Sequence, residues 1–222
     1  MRRVALLCLL LTAACDTPAS DLFTVPAWAE ALLVQDAHEA EWEDGPAGPP
    51  EGEPALALTL GSRRGIALLI QEEGERRLWR TPGGVAVQTE GARVVATAGL
   101  RQVLAATRFD GTDLLMRLPE LGPGEWRATR VVDLMRSAFD PARMRFGVRL
   151  DCRLSIGQAE IADTLLIEER CRGGARTTSR FWADAGSYAV FRSEQWVGDD
   201  LPPLVVEVVS ARNPTEIIPL PR

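Results

Sequence analysis

From residue 55 onward, apolar and polar positions alternate in runs of five to ten residues, separated by Gly, Pro and Asp. Alternation of this period places successive side chains on opposite faces of an extended chain, so each run predicts a strand. The first group is Ala55–Leu60, Gly65–Gln71, Arg76–Arg80, Val85–Thr89 and Arg93–Ala98. The short joins Gly61-Ser62-Arg63-Arg64 and Glu73-Gly74-Glu75 suit hairpins. Leu100–Thr107 carries Leu100, Val103 and Leu104 at helical spacing and predicts a short helix, while Asp113–Leu118 and Glu125–Leu134 predict further strands around Pro123-Gly124. Met135–Pro141 reads as a connection.

The last third is the most regular, with strands predicted at Arg145–Leu154, Asp163–Arg172, Thr177–Ala183, Tyr188–Trp196 and Pro203–Ser210. Val148, Leu150, Cys152 and Leu154 alternate strictly with Arg149, Asp151 and Arg153, which directs the apolar set inward. Leu165, Ile167, Glu169 and Cys171 share one face of the next strand, and a hairpin turning near 156–162 would bring Cys152 beside Cys171. A cross-strand disulfide at a non-hydrogen-bonded pair follows, with no C-x-x-C spacing to raise redox chemistry. The expected class is all-β, an antiparallel meander forming a large curled sheet, half-barrel or barrel, with a short N-terminal helix.

That helix is predicted over residues 25–37, where Pro26 suits a first turn and Trp28, Leu32 and Leu33 share a face. Residues 44–54 hold too much Gly and Pro for regular structure and read as a linker. Ahead of these lies a different pattern. Arg2 and Arg3 precede an unbroken apolar run, Val4 to Leu11, which is too short for the roughly 20 residues a membrane-spanning helix needs. Leu11-Thr12-Ala13-Ala14-Cys15 resembles a lipobox, which implies cleavage after residue 14 and lipidation of Cys15. Two or three acyl chains, at about 0.8 kcal/mol per buried CH₂, anchor where one does not. The plainer alternative is an ordinary secretory signal cut after Ala14. The expected organisation is a signal peptide at 1–14, a tether at 15–24, helix and linker at 25–54, and one β domain at 55–222.

Composition narrows the class further. Of the 222 residues, removal of 14 leaves 208, enough for one all-β domain. The net charge of −6 becomes about −8 once Arg2 and Arg3 are gone, which argues against a nucleic-acid partner. All 25 basic residues are arginine. With Cys8 in the discarded run and Cys15 lipidated, Cys152 and Cys171 remain for a disulfide in an oxidising compartment.

Several stretches of the last third are similar to the carboxy-terminal half of the YjbF/GfcB family, the group 4 capsule and exopolysaccharide lipoproteins. They are Glu168-Glu169-Arg170-Cys171, Arg180-Phe181-Trp182-Ala183-Asp184-Ala185-Gly186, Arg192-Ser193-Glu194-Gln195-Trp196-Val197-Gly198, and the strand 204–209 after Pro202-Pro203. The likeness is firm over about 145–210 and looser over 55–140. Ala185-Gly186-Ser187-Tyr188 departs from the Thr-Gly-x-Val turn common in the family. The resemblance implies a lipoprotein encoded beside exopolysaccharide-export components: a periplasmic partner, an outer-membrane β-barrel protein and an export channel. It also implies the outer membrane, although Asp16 after the lipidated cysteine retains lipoproteins at the inner membrane in some bacteria.

Candidate chemistry is sparse. The single histidine, His38, lies in an acidic run and reads as solvated linker; no G-x-S-x-G, H-E-x-x-H or phosphate-cradling glycine loop is present. Neither a catalytic residue nor a metal or cofactor is therefore expected. Glu168 and Glu169 are adjacent on a strand and point to opposite faces, so they cannot form the carboxylate pair of a glycosidase. Glu169 is expected to meet an arginine such as Arg180 or Arg192. Trp79, Trp126, Trp182 and Trp196 could stack on sugar rings, with Trp182 and Trp196 the first pair to test, though core packing accounts for most such tryptophans. The favoured reading is a non-enzymatic accessory in exopolysaccharide or capsule export. A polysaccharide-modifying enzyme and a lipid or glycan carrier are the alternatives.

Overall fold

The computed structural model describes Trp42, residues 52–136 and residues 143–210. The signal peptide, Cys15, the tether, the helix at 25–37, most of the 44–54 linker and the end of the 135–141 connection lie outside these.

Among the described residues, twelve strands form one antiparallel sheet: β1 Ala55–Leu60, β2 Arg63–Glu73, β3 Arg76–Arg80, β4 Ala86–Glu90, β5 Arg93–Ala98, β6 Val103–Phe109, β7 Gly124–Met135, β8 Met144–Gln158, β9 Thr164–Gly173, β10 Thr177–Asp184, β11 Val190–Gln195 and β12 Leu204–Ser210. Their order in space is β5-β4-β3-β2-β1-β12-β11-β10-β9-β8-β7-β6. Consecutive strands therefore pair with one another except β5 with β6, and β1 pairs with β12. The two ends of the order, β5 and β6, are also consecutive in the chain and lie alongside one another, which rolls the sheet into a nearly closed barrel. At this seam the Leu104 N–H donates to Thr97 Oγ1 at 3.0 Å.

Tight turns set the register. Leu60 faces Arg63, Glu73 faces Arg76 and Glu90 faces Arg93, leaving two-residue links at Gly61-Ser62, Gly74-Glu75 and Gly91-Ala92. Gly91 has φ +54°, and a Cβ there would come within 2.7 Å of the Met116 sulfur. A left-handed backbone and a close neighbour both favour glycine at this point.

Two segments differ from expectation. Leu100–Thr107 is not a helix: after a turn, Val103–Phe109 forms β6 against β7. Its apolar spacing fits either period, and pairing along β7 decides between them. Asp113–Leu118 is not a strand. Asp113 caps a 3-10 turn, Leu114–Arg117, by accepting from the Leu115 N–H at 3.1 Å, and the short helix α1, Leu118–Leu121, follows with Pro119 in its first turn.

Two apolar clusters fill the interior. One gathers Leu56, Leu58, Trp79, Val87, Leu104, Leu134, Leu150 and the disulfide, with Trp42 packed against it. The other gathers Leu115, Leu118, Leu154, Ile167 and Phe181. Burial along β8 follows the predicted alternation, with Leu150, Cys152, Leu154 and Ile156 inside. Cys152 and Cys171 are directly opposed, with Cα atoms 4.0 Å apart, and are bonded as expected.

Candidate functional site

Period-two alternation on β9 divides its acidic pair. Glu169 points inward with a side chain 3% exposed, and Glu168 points outward. The arginine that Glu169 meets comes from across the barrel. Arg93, the first residue of β5, donates through Nη1 to Glu169 Oε2 at 2.9 Å and through Nη2 to Glu169 Oε1 at 2.9 Å. Its other edge donates to both oxygens of Asp113, Nη2 to Oδ1 at 3.0 Å and Nε to Oδ2. The guanidinium lies between two aromatic rings, 4.8 Å from the centroid of Phe109 and 5.4 Å from that of Phe181. Two bidentate forks engage four of its five N–H donors, the strongest geometry available to arginine.

Arg130 on β7 is the second buried arginine and is less well served. Its Nη1 lies 3.6 Å from Glu169 Oε2, and its Nη2 donates to Thr107 Oγ1 at 3.4 Å. Its guanidinium carbon is 5.7 Å from the Trp196 ring, and Nε has no partner among the described residues. Burial and the neighbouring Arg93 push its pKa down to about 10, against the pull of Glu169 and Asp113. Arg93 goes the other way: burial disfavours its charge, but Asp113 and Glu169 outweigh that and raise its pKa. Burial would likewise raise the Glu169 carboxyl, and the two arginines prevail and hold it below the ordinary carboxylate range. Two cations thus meet two anions inside the barrel.

Arg180 and Arg192, the partners expected for Glu169, lie on the outer face instead. Arg180 stands opposite Glu168 in register and donates to it at 3.1 Å. Arg192 donates to Glu207 at 2.5 Å and to Glu194 at 3.2 Å. The physical reason is phase, because Arg180 pairs with the residue before Glu169 and so shares its outward face. The sign of the true partner in the sequence was Arg93 itself, a charge heading the uncharged, largely apolar Val94–Ala98 run after a tight turn.

The Ser193-x-Gln195 pair has a clear task. Gln195 Nε2 donates to the Ala92 carbonyl at 2.8 Å, and the Val94 N–H donates to Gln195 Oε1 at 2.9 Å. The amide stands in for a missing strand along the free edge of β5, and Ser193 Oγ accepts from the same Nε2 at 2.9 Å. Asp184 holds the β10–β11 turn by accepting from the Ser187 N–H and hydroxyl, both at 2.7 Å, and from the Gly186 N–H at 3.2 Å. Those bonds lower its pKa.

The predicted tryptophan pair does not form a shared platform. Trp196, just past β11, turns into the core and is 8% exposed. Trp182 faces outward with Arg192 over its ring at 5.4 Å. Trp79 is buried and donates to Thr89 Oγ1 at 3.1 Å, and Trp126 packs against the second cluster.

Chemically, the buried cluster is a lock. Glu169 and Asp113 grip one guanidinium, and Glu169 is shut off from solvent, so neither is free to transfer a proton to a glycosidic oxygen. Cys152, Glu169 and Cys171 bring three ligand atoms within 4.8 Å, but the sulfurs are bonded to each other and offer no thiolate. No helix among the described residues is long and apolar enough to cross a membrane.

Residues 54–209 match the sequence pattern of a family described as group 4 capsule polysaccharide lipoprotein gfcB, YjbF. The chain belongs to the YjbF/GfcB family. A crystal structure of the hypothetical lipoprotein YmcC from Escherichia coli (K12) is similar in fold, with a TM-score of 0.58 and 19% identity over 72% of this chain and 84% of that one. No curated protein matches the sequence. Three of the four stretches that carry the YjbF/GfcB likeness, 168–171, 180–186 and 192–198, converge in space. Glu169 and Phe181 hold Arg93, Gln195 holds the backbone on either side of it, and Asp184 shapes the hairpin that presents Phe181.

Proposed function

We propose that this chain is a periplasmic lipoprotein, anchored through Cys15 after removal of residues 1–14, that acts as a non-enzymatic accessory in exopolysaccharide or capsule export or assembly. The observation that carries the reading is the family match over 54–209, laid on a barrel whose inner acids Glu169 and Asp113 are both held by Arg93. The interior is packed with side chains and crossed by three ion pairs, which suits a scaffold better than a carrier of acyl chains. The anchor lies at the periplasmic side of the outer membrane, where an outer-membrane β-barrel protein and a periplasmic partner are its expected contacts. No metal or cofactor enters this role.

A deletion strain complemented with variants tests it. Loss of surface polysaccharide is expected on deletion, with rescue by wild type and by a Glu168→Gln/Glu169→Asp variant that still folds. Cys15→Ala is expected to lose palmitate labelling and leave the membrane fraction. Density-gradient separation should place the wild type in outer membranes. Normal export in the deletion strain, or depolymerisation of polysaccharide by the purified protein, would overturn the proposal.

A further inference from the structure

The outer faces of β7, β8 and β9 carry an arginine row. Arg127 stands opposite Arg153 in register, and Arg153 stands opposite Arg170. All three are exposed. Like charges directly opposite on neighbouring strands repel, and strands are only about 4.8 Å apart, so this arrangement is unfavourable by itself. The adjacent row on the same face shows the ordinary solution: Glu168, Arg180 and Glu194 alternate in sign across β9, β10 and β11. Acids outnumber bases 31 to 25 in this chain, so a shortage of acids does not explain the arginine row.

The row crosses a groove of about 800 Å³. Arg172, two residues further along β9 and opposite Asp151, also lines it, and Thr129 and Ser155 add hydroxyls. Arg127, Arg153 and Arg172 make no ion pair among the described residues, while Arg170 reaches Glu168 at 2.5 Å. Three acids border the groove: Asp110 is taken by Arg149 at 2.6 Å, and Glu125 and Asp151 flank the row. No aromatic and no long aliphatic side chain lines it. Protein interfaces have apolar, aromatic-rich centres, which this groove lacks. Ring stacking on neutral sugars has no aromatic partner here either.

Building on the export role proposed above, we infer that this groove binds an acidic polysaccharide, with the guanidinium forks of Arg127 and Arg153 taking carboxylate groups on successive sugars. A guanidinium matches a carboxylate bidentately, and a polymer can engage several at once. The flanking acids and hydroxyls accept and donate to sugar hydroxyls.

The test uses full-length protein in detergent, titrated with polygalacturonate, with neutral dextran, and with polyphosphate as a second polyanion. Polygalacturonate is expected to bind, more weakly as salt rises, and dextran is not. The Arg127→Gln/Arg153→Gln variant, unchanged in circular dichroism, is expected to lose at least about tenfold in affinity, since two charge-assisted bonds disappear. Arg117→Gln, on a turn that does not line the groove, is expected to keep wild-type affinity. Equal binding of dextran, unchanged affinity in the double variant, or binding of polyphosphate alone would overturn the inference. Rescue of export by the double variant would remove the groove from the export role and leave that role standing. Normal export on deletion, with polygalacturonate binding intact, would do the reverse.

Discussion

Arg130 and Arg127 lie three residues apart on one strand, yet they meet opposite electrostatic conditions. Arg130 points into the barrel with Arg93, where carboxylates and aromatic faces surround both guanidinium groups. Arg127 points outward into a row of its own kind. In the interior an unmatched charge costs several kcal/mol, so the fold supplies Glu169 and Asp113. At the surface water screens the repulsion, and a like-charged row can persist. Buried arginines therefore report on how the barrel closes, and exposed unmatched ones on what the barrel can hold.

The largest expected effect comes from removing the inner counter-ion. Glu169→Ala strands Arg93 and Arg130 and should cost about 3–5 kcal/mol, read as a fall in denaturation midpoint. An unchanged midpoint would mean that the interior arginines tolerate isolation as well as the outer ones do. The same carboxylate sets a pH dependence. Its folded-state pKa lies below the unfolded value, so its contribution is complete above the ordinary carboxylate range and is lost as pH falls through and below it. Glu169→Gln should remove that part of the acid slope.

Reduction of Cys152–Cys171, which are 19 residues apart, should cost about 3 kcal/mol, most simply measured by denaturation with and without reductant. Gln195→Ala leaves the Ala92 carbonyl and the Val94 N–H unmatched at the β5 edge. It should cost about 1–3 kcal/mol and speed hydrogen exchange at Val94, whereas equal exchange would mean the amide is not closing the seam. The smallest effect on stability, and the sharpest for the comparison, is Arg153→Glu. Placing an acid between Arg127 and Arg170 should raise stability slightly while abolishing polygalacturonate binding. Lower stability would show that the row is not repulsive.

Much of the barrel was legible because strands with one buried face carry their period openly. Nearly all predicted strands recur within a few residues, and the β8 alternation and the Cys152–Cys171 bond came directly from it. Leu100–Thr107 and Asp113–Leu118 depart from their pattern for opposite reasons: apolar spacing in a short window fits two periods, and the run after Asp113 looks like a strand although the aspartate caps a proline-containing turn. The candidate sites were less visible. The inward and outward faces of β9 were legible and Arg93 as the partner of Glu169 was not, while the pattern left Trp196 open between core packing, which the fold adopts, and an exposed platform.

Local pattern determined which residues extend, which side of each strand they face, and that Cys152 and Cys171 could bond, because these depend on neighbours close along the chain. The closing of the sheet determined the rest. Arg93 and Glu169 are 76 positions apart, and Ala92 and Gln195 are 103 apart, so only the rolled barrel brings each pair together. The arginine row is likewise a matter of register, since a slip of one position would send Arg153 inward and dissolve it.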